Sequence, residues 1–282
     1  MLPYNQEMQS ISRILLPVDF SDRCLAILPY ALSIASKYDA ELTLFHVLNP
    51  VYTVPPAGPF GPAIVSLPPS VFEEHTQRLE VFGAEALKGC QVRRLIYEGD
   101  PAEQIIAYAN SEDFQLVILP THGLGVLRRF LIGSVAAKVL HDVTCPVLTG
   151  VHMEQPSQSK AHGFSNVLCA VDLGPNSEPT LAWAGQFAEA FQARLEIVHA
   201  VPSPSRRSER AAIEALQQST GTKAAEIVIK EGDAVKTVIA AADSIAADLL
   251  VIGRAVHKDP ASRLQPEAYA IISQSPCPVV SV

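Results

Sequence analysis

The residues from Asn166 to Val201 align without a gap on those from Arg13 to Leu48, and this internal repeat limits the fold more than any other feature of the chain. Asp172 answers Asp19, Leu181 answers Leu28, Ala184 answers Ala31 and His199 answers His46. Further on, Glu231-Gly232-Asp233 answers Glu98-Gly99-Asp100, and Cys277-Pro278-Val279 answers Cys145-Pro146-Val147. One fold is therefore written twice. Each copy must close its own core within about half of 282 residues, an ordinary domain size. We expect domains at 1–151 and 164–282, joined by a polar stretch, roughly His152 to Ser165, with the composition of a linker.

Within a copy, strand and helix signals alternate. Ile14 to Val18 is an unbroken apolar run, as a parallel strand covered on both faces requires. Ser21 or Asp22 can cap the helix that follows. Its inner face is Leu28, Ala31, Leu32 and Ala35, with Pro29 marking a kink or a late start. Leu42 to Val47 is the second strand, and the helical crossover implies a right-handed parallel unit. Gln91 to Tyr97 is the third strand, with a helix around Ala102 to Ala109; Ala224 to Ile229 and Val235 to Ala242 repeat the pair. The acidic turn between them resembles a catalytic site, but an Asp at a helix start is ordinarily a cap, and we read Asp100 so.

Between its second strand and next helix, the first copy inserts a proline-rich segment, Asn49 to Pro69, which can form neither helix nor central strand. It is open between a flap over a ligand and a spacer or partner contact. Ser70 with Glu73 reads as a capping box, after which Phe72, Leu79, Phe82 and Leu87 face inward until Gly89 stops the helix. The second copy has a shorter polar segment there, Pro202 to Ser208.

Chemistry concentrates between Phe114 and Leu140. Leu116 to Leu119 is a buried strand, Pro120 to Gly125 is turn chemistry, and Val135, Val139 and Leu140 have helical spacing. A strand, a glycine-containing loop and a helix start make a common anion site, because first-turn N–H groups lack partners and carry partial positive charge. Ser134 is open between a plain N-cap and a phosphate contact. His122 and the pair Arg128-Arg129 are open between phosphate contacts and solvated positions.

The same residues carry a resemblance. Pro120, Gly123, Gly133 and Ser134 fall on the four positions of the nucleotide-binding signature of the universal stress protein family, Gly-x2-Gly-x9-Gly-Ser/Thr, and Cys145-Pro146-Val147 follows as in that family. Pro120 stands where the signature has Gly, so one main-chain N–H is missing there. The resemblance implies an α/β fold of two tandem Rossmann-like (adenine nucleotide alpha hydrolase-like) domains. Each would be a five-stranded parallel sheet ordered 3-2-1-4-5, with a ligand at the reversal between strands one and four. It implies ATP or a related adenine nucleotide, with Mg2+ able to accompany it, in the first copy. Pro17, Val18, Asp19 and Val47 would hold the adenosine half, and Pro120, Gly123, Gly133, Ser134 and Val135 the phosphates. In that family the terminal strands pair between copies. Pro146-Val147-Leu148 and Pro278-Val279-Val280 are accordingly expected to pair within the chain as a pseudo-dimer, with a further homodimer open.

The second copy lacks the signature. Gly253 is kept, but Val256 replaces the second glycine, and Pro266-Glu267 stands for Gly133-Ser134 within one residue. A prolyl nitrogen donates nothing and a carboxylate repels phosphate, so we expect no nucleotide of this kind there despite Asp172. A formal charge of −8 argues against a nucleic-acid or anionic-membrane binder. Five widely spaced cysteines fit reduced thiols, the histidines show no metal-ligand spacing, and no apolar run approaches the roughly 20 residues that span a bilayer. With no signal-peptide pattern at the start, we expect a cytoplasmic protein. The resemblance points to a stress-response nucleotide binder with an unknown protein partner. A ligand-free scaffold and a slow ATPase using Arg128, Arg129 or His122 stay open beside it, although no Walker lysine or evident general base supports efficient turnover.

Overall fold

The computed structural model describes residues 10–50, 67–121, 132–150, 163–202, 206–223, 225–254 and 266–282. Its first half runs β1 (Arg13–Pro17), α1 (Asp22–Tyr38), β2 (Glu41–Leu48), α2 (Pro69–Val81), β3 (Val92–Glu98), α3 (Pro101–Ser111), β4 (Leu116–Pro120), α4 (Ser134–Asp142) and β5 (Val147–Gly150). The second half repeats the order with β6 (Asn166–Ala170), α5 (Ser177–Phe191), β7 (Arg194–Val201), α6 (Arg206–Thr220), β8 (Glu226–Glu231), α7 (Ala234–Ser244), β9 (Leu249–Ile252), α8 (Pro266–Gln274) and β10 (Val279–Ser281).

The strands form one ten-stranded sheet in the order β3-β2-β1-β4-β5-β10-β9-β6-β7-β8. Each half is thus a parallel 3-2-1-4-5 sheet, as expected. The halves join where β5 meets β10 antiparallel, with Leu148 opposite Val280. Alternation along the strands explains why both faces need cover. Ile14 and Leu16 point into one core with α1, α2, α5 and α6, whereas Leu15 and Val117 point into the other with α3, α4, α7 and α8. Leu148 and Val280 are fully buried, and each half contributes residues to both cores. The seam therefore hides what would otherwise be two apolar sheet edges.

Local chemistry sets most boundaries. Ser21 caps α1 by accepting from the Cys24 N–H, and the helix runs through Pro29 without a late start. Asp100 and Asp233 cap α3 and α7 through the N–H groups of Glu103 and Lys236, as read from the acidic turns. Gly99 and Gly232 in those turns sit at φ 145 and φ 144, where a side chain is strongly disfavoured.

Two expectations for α2 fail. No capping box forms: Pro68 takes the cap position and Pro69 the first helical one, so Ser70 already lies inside the helix. Proline at the first position has its φ pre-set and no N–H to satisfy, which makes a side-chain cap unnecessary. Phe72 is 44% exposed rather than inward, and the helix ends at Val81, well before Gly89. Phe72 is on the stripe of Leu79 but about 10 Å further along the axis, in the first turn, away from the core that covers Leu79. Leu79, Phe82 and Leu87 are buried as expected. Among the described residues no helix is long and apolar enough to cross a membrane.

Candidate functional site

β1 lies between β2 and β4, all three parallel, so the strand order reverses there and a crevice opens beyond the carboxyl ends of β1 and β4. Asp19 follows β1 at this point. Its carboxylate Oδ1 accepts from the Ser21 N–H at 2.9 Å and from the Cys24 thiol at 2.9 Å. The second copy repeats the arrangement: Asp172 Oδ1 accepts from the Gly174 N–H and the Ser177 hydroxyl, both at 2.8 Å. In each copy the next residue, Phe20 or Leu173, is forced into the left-handed region at φ 60 or φ 61, a strain of about 1 kcal/mol. One carboxylate oxygen thus holds the turn. The other has no hydrogen-bond partner among the described residues and is free to accept from a ligand hydroxyl or amine. The Cys24 thiol is pushed up to about 12, by burial first and by Asp19 second, which leaves it a structural donor rather than a nucleophile.

A buried histidine stands behind this turn. His46 Nδ1 lies 2.6 Å from the Val18 carbonyl, and His46 Nε2 lies 2.8 Å from His75 Nδ1. A carbonyl only accepts, so His46 carries its proton on Nδ1, and its Nε2 lone pair accepts from His75. Burial is the main cause that lowers the His46 pKa; His75 and Arg78 act in the same direction and the Val18 bond opposes them. His199 makes the matching bond to Val171 O at 2.7 Å. Phe20 packs on the His46 ring at 4.4 Å, and the Arg78 guanidinium lies 4.4 Å over Phe20. The repeat equates His46 with His199 in the sequence but assigns neither a task. The task is to fix the main chain that presents Asp19.

On the other side of the crevice, β4 ends at Pro120, paired with Gly150. Val117 and Thr121 donate their N–H groups to Pro146 O and Gly150 O on the β5 side. Alternate residues of a strand face the same neighbour, so the Pro120 nitrogen faces the β1 side, beyond the Leu15–Val117 pair where that register ends, and the β4–β5 ladder loses no bond. The Gly133 N–H then bonds Thr121 O at 2.7 Å, tying the start of α4 to the strand end. Gly133, not Ser134, is the N-cap of α4, and no side chain caps the helix. The first bond within the helix is from the Ala137 N–H to Gly133 O. Ser134, Val135 and Ala136 therefore offer N–H groups with no intrahelical acceptor, beside the exposed Ser134 hydroxyl. Pro17 and Val47 lie on adjoining strands, in register with Phe45 and Tyr97.

Gly123 and Gly125, with His122, Arg128 and Arg129, lie outside the described residues, as do Val256, most of the proline-rich insertion and most of the linker.

In the second copy the equivalent crevice is a cavity of about 180 Å3, whose lining includes Asp172, Thr180, Ala200, Gly253 and Glu267. It is roomy because Ala170, Val198 and Ala200 stand where the first copy has Pro17, Phe45 and Val47. α8 begins at Pro266 as α4 begins at Ser134, and their inner faces coincide, Ile271 and Ile272 for Val139 and Leu140. This places Pro266 on Ser134 and Glu267 on Val135, one residue from the sequence alignment. Where the first copy presents Ser134 and Val135, the second thus has a nitrogen without a hydrogen and a carboxylate side chain.

A family model described as the Universal stress protein family matches residues 10–149 and again residues 163–282. A universal stress protein of Methanocaldococcus jannaschii is 32% identical over 146 residues, covering 48% of this chain and 79% of that protein. One of Bacillus subtilis is 28% identical over 146 residues, covering 49% and 97%. The crystal structure of a universal stress protein from Archaeoglobus fulgidus matches with a TM-score of 0.77 at 22% identity, covering 97% of this chain and 98% of that one. At that identity the likeness speaks to the fold alone. With two adjoining matches that together span nearly all of its residues, the chain belongs to the universal stress protein family.

Proposed function

We propose that the first copy binds ATP or a related adenine nucleotide and that the second serves as its built-in pairing partner. One observation carries this reading. A helix start without a side-chain cap, whose Ser134 to Ala136 N–H groups have no intrahelical acceptor, adjoins the same reversal of strand order as Asp19, whose second carboxylate oxygen is unpartnered among the described residues. Oligophosphate suits the first and a ribose hydroxyl the second. Pro17, Val18, Asp19 and Val47 hold the nucleoside side, and Pro120, Gly123, Gly133, Ser134 and Val135 line the phosphate side. Pro120 contributes ring contact rather than an N–H. Among the described residues no group of acidic, His or Cys side chains is built to hold a metal, so Mg2+ arrives with the nucleotide if it is present.

The domains are 1–151 and 164–282, the protein acts in the cytoplasm in a stress response, and it binds rather than turns over its nucleotide. Calorimetric titration of the full chain with ATP tests the reading, together with mass spectrometry of any small molecule that copurifies. Saturable binding that Asp19→Ala weakens supports it. A chain that takes up no adenine nucleotide at millimolar concentration is a scaffold instead.

A further inference from the structure

The second copy grips α4 of the first at both ends. At the start, the Tyr269 hydroxyl on α8 accepts from the Ile132 N–H at 2.9 Å and lies 3.3 Å from the Ile132 carbonyl, to which it donates. Ile132 immediately precedes the Gly133 cap, so this bond sets where the helix begins. At the far end, the guanidinium of Arg254, 2% exposed, donates through Nη1 to Leu140 O and through Nη2 to Cys145 O, both at 2.9 Å.

The last carbonyls of α4 explain why Arg254 is there. Val139 O accepts from the Val143 N–H and Asp142 O from the Asn110 amide. The N–H that would normally serve Leu140 O belongs to Thr144, and it bonds the Asn110 carbonyl oxygen instead. Arg254 supplies the missing donor and brings positive charge to the negative end of the helix. Burial draws its pKa down to about 10, and among the described residues no carboxylate pairs with it. Such a charge is costly to bury, and main-chain oxygens of the other copy are what receive it here.

The first copy carries neither of these two side chains at the matching positions. The repeat puts Thr121 at the position of Arg254 and Ala137 at that of Tyr269. Thr121 donates to Gly150 O of its own half, and Ala137 has no polar side-chain atom. Tyr269 and Arg254 thus belong to the copy that lacks the signature, and both bond the main chain at the ends of α4.

We infer that the second copy braces the first, with Tyr269 and Arg254 as positioning residues that hold α4 in register for an oligophosphate. The inference rests on the reading of α4 as the phosphate-binding helix. The brace acts on α4 and not on the Asp19 side, so its loss separates phosphate from nucleoside.

The test uses the full chain as wild type, Tyr269→Phe and Arg254→Met, titrated with ATP and with adenosine by NMR, with amide hydrogen exchange along α4 in parallel. Tyr269→Phe is the mild variant, since it removes one hydroxyl at a half-buried site. It is expected to weaken ATP about fivefold and leave adenosine within about twofold, while the first amides of α4 exchange faster. Arg254→Met is expected to show the same split, with faster exchange reaching the last turn. ATP affinity unchanged in both variants overturns the inference, and so does an equal loss for both ligands, which marks general loosening. A wild-type chain that ignores ATP sinks the nucleotide reading itself. The brace is then decided by exchange alone, and wild-type rates along α4 in Tyr269→Phe overturn it.

Discussion

The second copy suggests the most informative substitution in the first, because Pro266 stands in α8 where Ser134 stands in α4. Ser134→Pro should fold without difficulty. Ser134 is the first helical residue, where proline is favoured, and its N–H has no intrahelical acceptor to lose. The preceding residue, Gly133, already has φ −61 and ψ 154, the conformation that a following proline imposes. The melting temperature should therefore stay within a few degrees of wild type. The phosphate side loses both an N–H and a hydroxyl. A hydrogen bond to a charged group contributes about 1.5–3 kcal/mol, so losing even one of the two weakens ATP by about 10- to 150-fold. Adding Val135→Glu, which copies Glu267, sets like charge against phosphate and deepens the loss by an amount that salt screens. Calorimetry at fixed ionic strength reads the affinity, and a thermal melt shows that the fold survives. A Ser134→Pro chain that melts normally and binds ATP within twofold of wild type refutes the assignment of α4 as the phosphate-binding helix.

Asp19→Ala should weaken nucleotide about tenfold while Asp172→Ala leaves it unchanged; equal losses from the two, measured by the same titration, place ligand in both copies. Stability should fall with acid through His46. Its folded pKa is lowered from 6.5, so below that value the unfolded chain takes up a proton that the folded one refuses. The contribution is complete above pH 6.5 and is lost as pH falls toward the lower folded value. Denaturant midpoints across this range should fall less steeply in His46→Gln than in wild type, and parallel curves argue against the buried neutral ring. Isolated residues 1–150 expose the β5 edge that β10 covers, so sedimentation should find them self-associated, and a clean monomer counts against the seam as a sticky edge.

How much of this was legible beforehand follows from how far apart the interacting residues lie in the chain. The repeat, the alternation of strand and helix and the caps at Ser21, Asp100 and Asp233 are written in neighbouring residues, and all of them appear in the fold. The order of strands and the pairing of the terminal strands came from the family signature rather than from periodicity. Local reading failed at Ser70 and Phe72, where two prolines set the helix start and position along the axis decided burial.

The amino-acid sequence by itself determined that this chain is one α/β unit written twice and that the second writing lacks the signature, because hydrophobic period, turn residues and motif spacing are properties of contiguous segments. Only the tertiary structure decided what stands behind Asp19, which residue caps α4, and that Tyr269 and Arg254 hold that helix across the seam. Those bonds join residues 137 and 114 positions apart. No local rule selects such partners, since it is the antiparallel meeting of β5 with β10 that brings them within reach.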